Sequence, residues 1–245
     1  MLFNKILKIG LIATCILFIV FQVLGMDIYA AAARAISVLF FVAIYTVSVK
    51  NKRMYFYLFL ISFGIGEIIN YSSYFSTIDY STQPDYFYFA ANFFYIFSYI
   101  LLILNMLQGV NLKEVALRFW PHILVLIVLD IFCVQMVTDT AKNALSYHSY
   151  YLLELTYNGI IMALLTVAMV NYMYKNTEKS MNLLLGTIFI FFSEVIQTAY
   201  FYISDIRMLN VLCSLFLVFA FLFFYLQSQI ISDDNPSIGQ NATTV

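Results

Sequence analysis

Eight long apolar runs, each separated from the next by a short polar or charged link, dominate this chain. They fall near 5–24, 31–49, 54–76, 86–108, 118–137, 149–174, 181–203 and 207–230. A helix needs about 20 mostly apolar residues to cross a bilayer's hydrocarbon, and in hydrocarbon the backbone is satisfied only within helices or closed barrels. Hydrophobic residues make up 63% of the chain and charged ones 10%, against about 25% charged in a soluble domain. A water-soluble core has no use for that much apolar surface. The chain therefore reads as an all-α integral membrane protein of eight transmembrane helices over residues 1–231, followed by a polar tail, 232–245, expected to be disordered. Lys5 and Lys8 ahead of the first run mimic a signal peptide. No A-x-A-like site closes that run, and residues 12–15 (IATC) make a poor lipoprotein box, so it is expected to stay as a span.

Basic residues orient such a chain, because cytoplasmic links carry an excess of Lys and Arg. Eight spans place Lys5, Lys8, Lys50, Lys52, Arg53, Lys113, Arg118, Lys175 and Lys179 on one side, and Arg34, Lys142 and Arg207 on the other. Nine against three predicts both termini, and the tail, in the cytoplasm, and a multi-pass protein of a bacterial inner membrane. The formal net charge of −1 offers no basic face for nucleic acid. Cys15, Cys133 and Cys213 lie inside apolar runs and read as small hydrophobes, with neither disulfide nor metal-ligand spacing. The chain has two histidines, neither deep in a span, and no G-x-S-x-G, H-E-x-x-H or P-loop, so no metal and no cofactor is expected.

One motif occurs twice. LFLISFGIGEIINYSSYF, residues 58–75, is echoed by LLGTIFIFFSEVIQTAYFY, residues 184–202. Aligning Glu67 with Glu194 sets Gly66 against Ser193 and Asn70 against Gln197, so a small residue precedes each carboxylate and an amide follows three residues on. Glu67 lies 13 residues beyond Met54 and Glu194 lies 13 beyond Met181. Both carboxylates thus sit at similar depth, past the midplane toward the outer side. Spans 3 and 7 point the same way, as a parallel four-plus-four repeat requires.

Other polar residues also fall within the runs. Arg34 opens span 2; taken alone, it reads as a side chain snorkelling to the headgroups on the side toward which the glutamates lie. Span 4 carries Asn92, Tyr95, Ser98 and Tyr99 near one helical face, with Asn92 read as interhelical glue. Span 5 opens with Trp120 as an interfacial anchor, Pro121 in its first turn and His122 at the boundary, and holds Asp130 within. Span 6 adds Glu154 and Tyr157 on one face, then Asn158.

An ionised carboxylate at a helix centre costs about 2.5–3.5 kcal/mol on insertion scales. Glu67, Asp130, Glu154 and Glu194 must therefore be protonated, paired or wetted. No Lys or Arg lies mid-span, and Arg34 is the one cation near the glutamates. Of Glu67 and Glu194, one is expected to hold a proton beside an ionised neighbour, which makes an acid–base pair. The plainer alternative is that each carboxyl only hydrogen-bonds a neighbouring helix; that alternative weighs most for Asp130.

The spans carry Arg34-Ala35, Gly66-Glu67, Ser98-Tyr99, Tyr157 with Met162, then Gly186, Phe189 and Ser193-Glu194, and finally Tyr225 with Gln229. In this order the chain resembles the lysoplasmalogenase-like (YhhN) family of eight-span membrane proteins. That family has Lys-Pro in helix 2, Gly-Asp in helix 3, His-Tyr in helix 4, G-x-x-x-F-x-x-S-D in helix 7 and Tyr followed by Gln in helix 8. Here both Asp positions are Glu, the Lys is Arg34 and the His is Ser98, so the chain is similar to a divergent branch.

The resemblance implies hydrolysis of the vinyl-ether bond of a lysophospholipid-type substrate. Glu67 and Glu194 would be the acid and base. Arg34, Ser98, Tyr99, Glu154, Tyr157, Ser193, Tyr225 and Gln229 would bind substrate, with Arg34 on its phosphate. Two other classes compete: a proton- or cation-coupled transporter of small molecules or lipids, and a non-catalytic membrane scaffold whose carboxylates tolerate Gln. Oligomeric state is not written in the sequence.

Overall fold

The computed structural model describes residues 2–77, 84–142 and 148–230. The tail expected over 232–245 lies outside the described residues, as does most of the link between the third and fourth helices. Among the described residues every regular element is α-helical. They are α1 (Leu2–Leu24), α2 (Asp27–Ser48), α3 (Met54–Ser73), α4 (Tyr86–Leu107), α5 (Leu112–Lys142), α6 (His148–Lys175), α7 (Glu178–Tyr202) and α8 (Arg207–Gln229). All eight are long and apolar enough to cross a membrane.

Local signals set several helix ends. Asp85 caps α4 by accepting the Tyr88 amide at 2.9 Å, and Thr177 with Ser180 forms a reciprocal capping box at the start of α7. The tight turn between α1 and α2 needs Gly25, whose φ is +73° and whose missing Cβ leaves room for the Arg207 guanidinium. The fifth helix differs from its expected bounds. It starts at Leu112, not near 118, because its first turns hold Lys113, Glu114 and Arg118 and score as polar while remaining helical. Pro121 therefore lies inside the helix, not in its first turn. It has no N–H for the Leu117 carbonyl, and the backbone breaks at Phe119 (φ −115°, ψ 16°).

Consecutive helices pack as hairpins, α1 on α2, α3 on α4, α5 on α6 and α7 on α8. Further contacts of α2 with α3, α4 with α6, α6 with α7, and α8 with α1 close seven helices into a ring. Helix α5 stays outside, packed on α6 and α7 alone, and presents Leu124, Val125, Val128, Ile131 and Phe132 outward. The ring is filled at the end bearing Lys50–Arg53 by aromatic rings. Phe59 meets Phe224 edge-on at 5.5 Å, Phe63 meets Phe221 at 5.2 Å, and Phe41 meets Phe221 at 5.6 Å. Toward the opposite end the rings give way to polar side chains and a cavity.

Small residues let the helices approach. Ala30, Ala31, Ala33 and Ala35 form the buried face of α2, and Gly186 of α7 admits the ring of Phe224. A Cβ at Gly186 would stand 2.5 Å from Phe224 Cε1, and Phe224 is fully buried. Gly186→Ala should therefore cost about 1–3 kcal/mol of stability. Phe224→Leu in the same chain should return part of that loss, which thermal unfolding of both single variants and the double variant in detergent would read.

Candidate functional site

The cavity holds about 390 Å³ and is lined from α2, α3, α4, α6, α7 and α8. Three carboxylates reach it, Glu67, Glu154 and Glu194, with one guanidinium, Arg34. Glu67 is 2% exposed, so its charge needs a partner. Arg34 is not snorkelling outward. Its Nε donates to Glu67 Oε2 at 2.6 Å across the α2–α3 seam, and the Tyr95 hydroxyl donates to Glu67 Oε1 at 3.1 Å. Gly66 makes the second bond sterically accessible, since a Cβ there would meet the Tyr95 ring at 2.8 Å. The small residue before this carboxylate thus has a definite purpose.

Glu194 is held differently. Tyr99, fully buried on α4, donates its hydroxyl to Glu194 Oε1 at 2.7 Å, and its ring packs 6.0 Å from that of Tyr157. Among the described residues no cation lies within ion-pair distance of Glu194; the ion pair there is Arg34 with Glu67. Ser193, the small residue ahead of it, donates to the Cys213 carbonyl of α8 at 2.9 Å and draws α7 onto α8. Glu67 and Glu194 therefore line one cavity in unlike settings, one against a guanidinium and one against a phenol.

Glu154 closes the third corner. Its Oε1 accepts from Tyr88 at 2.6 Å and from Tyr202 at 2.9 Å, so one carboxylate joins α4, α6 and α7. Asn92 also lines the cavity, with its amide on the Tyr88 carbonyl at 2.8 Å. The other named residues lie elsewhere. Ser98 is fully buried and turns its hydroxyl onto the Tyr95 carbonyl. Tyr225 and Gln229 belong to the far end of α8, where Tyr225 packs on Phe41 and sits under Lys8, and Gln229 is exposed. Asp130 on α5 accepts from Thr166 at 2.7 Å and stands outside the cavity.

Tyr88 and Tyr202 were not singled out from the sequence, yet helical spacing carries both. Tyr88, Asn92, Tyr95 and Tyr99 fall on one face of α4 at steps of four, three and four residues, and Glu194, Thr198 and Tyr202 fall at steps of four along α7. Among the described residues no group of three His, Cys, Asp or Glu side chains is close enough to hold a metal ion.

Hydrogen bonds between membrane helices contribute about 0.5–2 kcal/mol each. Tyr88→Phe and Tyr202→Phe should each cost that much in detergent unfolding. Together they should cost more than the sum, since Glu154 then loses both of its donors.

Comparison with known proteins returns no counterpart: no family model, no curated protein and no solved structure matches this chain.

Proposed function

We propose that the protein is a membrane-embedded hydrolase that opens the vinyl-ether bond of lysoplasmalogen-type lysophospholipids by carboxyl acid–base chemistry. On this reading all eight helices cross the bilayer, both termini are cytoplasmic, and the cavity faces the outer leaflet. Helices α1–α4 and α5–α8 descend from one four-helix unit, a history that the repeated motif around Glu67 in α3 and Glu194 in α7 supports. The reaction class is taken from the resemblance to the lysoplasmalogenase-like family.

The observation that carries the reading is the unequal pairing of two carboxyls in one cavity. Glu67, against Arg34, is the ionised member. Glu194, against a phenol, is the proton donor. Glu194 protonates the outer vinyl carbon, which leaves an oxocarbenium at the carbon bonded to oxygen. Glu67 stabilises that cation and takes a proton from the water that adds to it. In the collapse of the hemiacetal, Glu194 takes the hydroxyl proton and Glu67 gives its proton to the departing glyceryl oxygen. This releases a fatty aldehyde and the glycerophospho alcohol and returns both carboxyls to their starting states. Tyr95 and Tyr157 form the wall beside the reacting bond, with Tyr99 behind Glu194, and Arg34 remains within reach of the phosphate through its terminal nitrogens.

Purified protein in detergent should release aldehyde from a lysoplasmalogen panel. A general acid or base contributes about 10²–10⁴-fold, so Glu194→Gln should lose about that much in kcat while keeping the wild-type melting profile, and Glu67→Gln should lose about as much when assayed below its own, lowered melting midpoint. Wild-type protein that releases no aldehyde from any panel member would overturn the reading.

A further inference from the structure

A second chamber of about 180 Å³ adjoins the carboxylate cavity, lined by Gln22, Asp27, Arg34, Asn70, Gln197 and Asn210 among others. Arg34, Asn70, Gln197 and Phe201 line both spaces. Asn70 and Gln197 are the amides that follow Glu67 and Glu194 by three residues. Each repeated motif therefore sends a carboxylate into the first space, with an amide one turn further on at the junction with the second.

Gln22 is the clearest sign that the chamber is built to hold something. It lies near the end of α1, two turns beyond Thr14, is 5% exposed, and lines the chamber. Among the described residues its side chain has no hydrogen-bond partner, and the same is true of the side chains of Asn70 and Gln197. Gln22 is buried and Asn70 and Gln197 are half-buried, so the amide atoms they turn to the chamber find their partners in a ligand or in ordered water. The chamber has the room of about six waters at ~30 Å³ each, which is also the room of a glyceryl unit or a single sugar ring.

The chemistry of the lining decides the class. An amide both donates and accepts, as a hydroxyl does, so amides on three or four walls suit several hydroxyls at once. An anion would face Asp27 at the rim. A cation would face Arg34, whose own charge is already matched by Glu67. We propose that this chamber is a binding subsite for an uncharged, hydroxyl-rich group, a polyol, placed beside the carboxylates. The subsite does not depend on the hydrolase reading, because it concerns binding alone.

The test uses the full-length protein in phosphatidylcholine nanodiscs, with tritiated 1-O-hexadecylglycerol and tritiated hexadecanol as probes. The two share a chain, and the ether carries two hydroxyls and an ether oxygen where hexadecanol carries one hydroxyl. Wild-type protein should bind the glycerol ether at least about tenfold more tightly, as two net hydrogen bonds imply. Gln22→Leu and Gln197→Leu should each remove most of that preference and leave hexadecanol binding as it was. Equal binding of the two probes by wild type would overturn the proposal, and needs no variant to fold. A preference kept by both folded variants would overturn it as well. Free glycerol in excess separates the sources: displacement of the ether assigns the chamber to a soluble polyol, and no displacement assigns it to a lipid's polyol group.

Discussion

Taking a guanidinium and a carboxylate out of water costs several kcal/mol per ion, and their attraction returns that cost only when the geometry is close and the remaining polar atoms are satisfied. The pair formed by Arg34 and Glu67 meets those terms. The contact is 2.6 Å, the second carboxylate oxygen takes the Tyr95 hydroxyl, and the pair lies on the seam of two helices that small residues bring together. Ala33 and Ala35 flank Arg34 on α2, Gly64 of α3 sits against Val38 of α2, and Gly66, on another face of α3, leaves room for the Tyr95 ring of α4 that carries the second hydrogen bond. Without Arg34, Glu67 would stand buried without a cation.

That pair also divides the labour of the cavity. One guanidinium serves three carboxylates, and it is committed to Glu67. Glu194 and Glu154 are left to tyrosines, Tyr99 and Tyr157 for the first and Tyr88 and Tyr202 for the second. Seven helices close around this arrangement, and the ring does so by joining α8 to α1 and α4 to α6 while leaving α5 outside. The polar end of the ring is thus the site, and the aromatic end its foundation.

Much of this was legible in the sequence because long apolar runs leave the backbone so few ways to satisfy its hydrogen bonds. Each apolar run became one helix, and the repeated Glu-x-x-amide motif marked two residues that line the same cavity. The fifth helix was read short because Lys113, Glu114 and Arg118 lower its hydropathy without ending its hydrogen bonding. Arg34 was harder, since a single Arg near a helix end is equally at home snorkelling to headgroups, and only the three-dimensional seam puts Glu67 in its reach. Ser98, Tyr225 and Gln229 were named through the family resemblance, and they lie against a backbone carbonyl and at the far end of α8. Gln22 had no signal at all: an amide near the end of α1 has no meaning until the chamber beside it is seen.

The ion pair itself offers the most direct test. Arg34→Met, Glu67→Gln and the double variant form a thermodynamic cycle that can be read by unfolding in detergent. Removing one partner of a buried pair costs about 3–5 kcal/mol, because the other charge is left alone. Each single variant should lose about that much, and the double variant should lose clearly less than the sum. Two mild, additive losses would mean that Arg34 and Glu67 do not depend on each other, and the cavity would then have to be organised by something else.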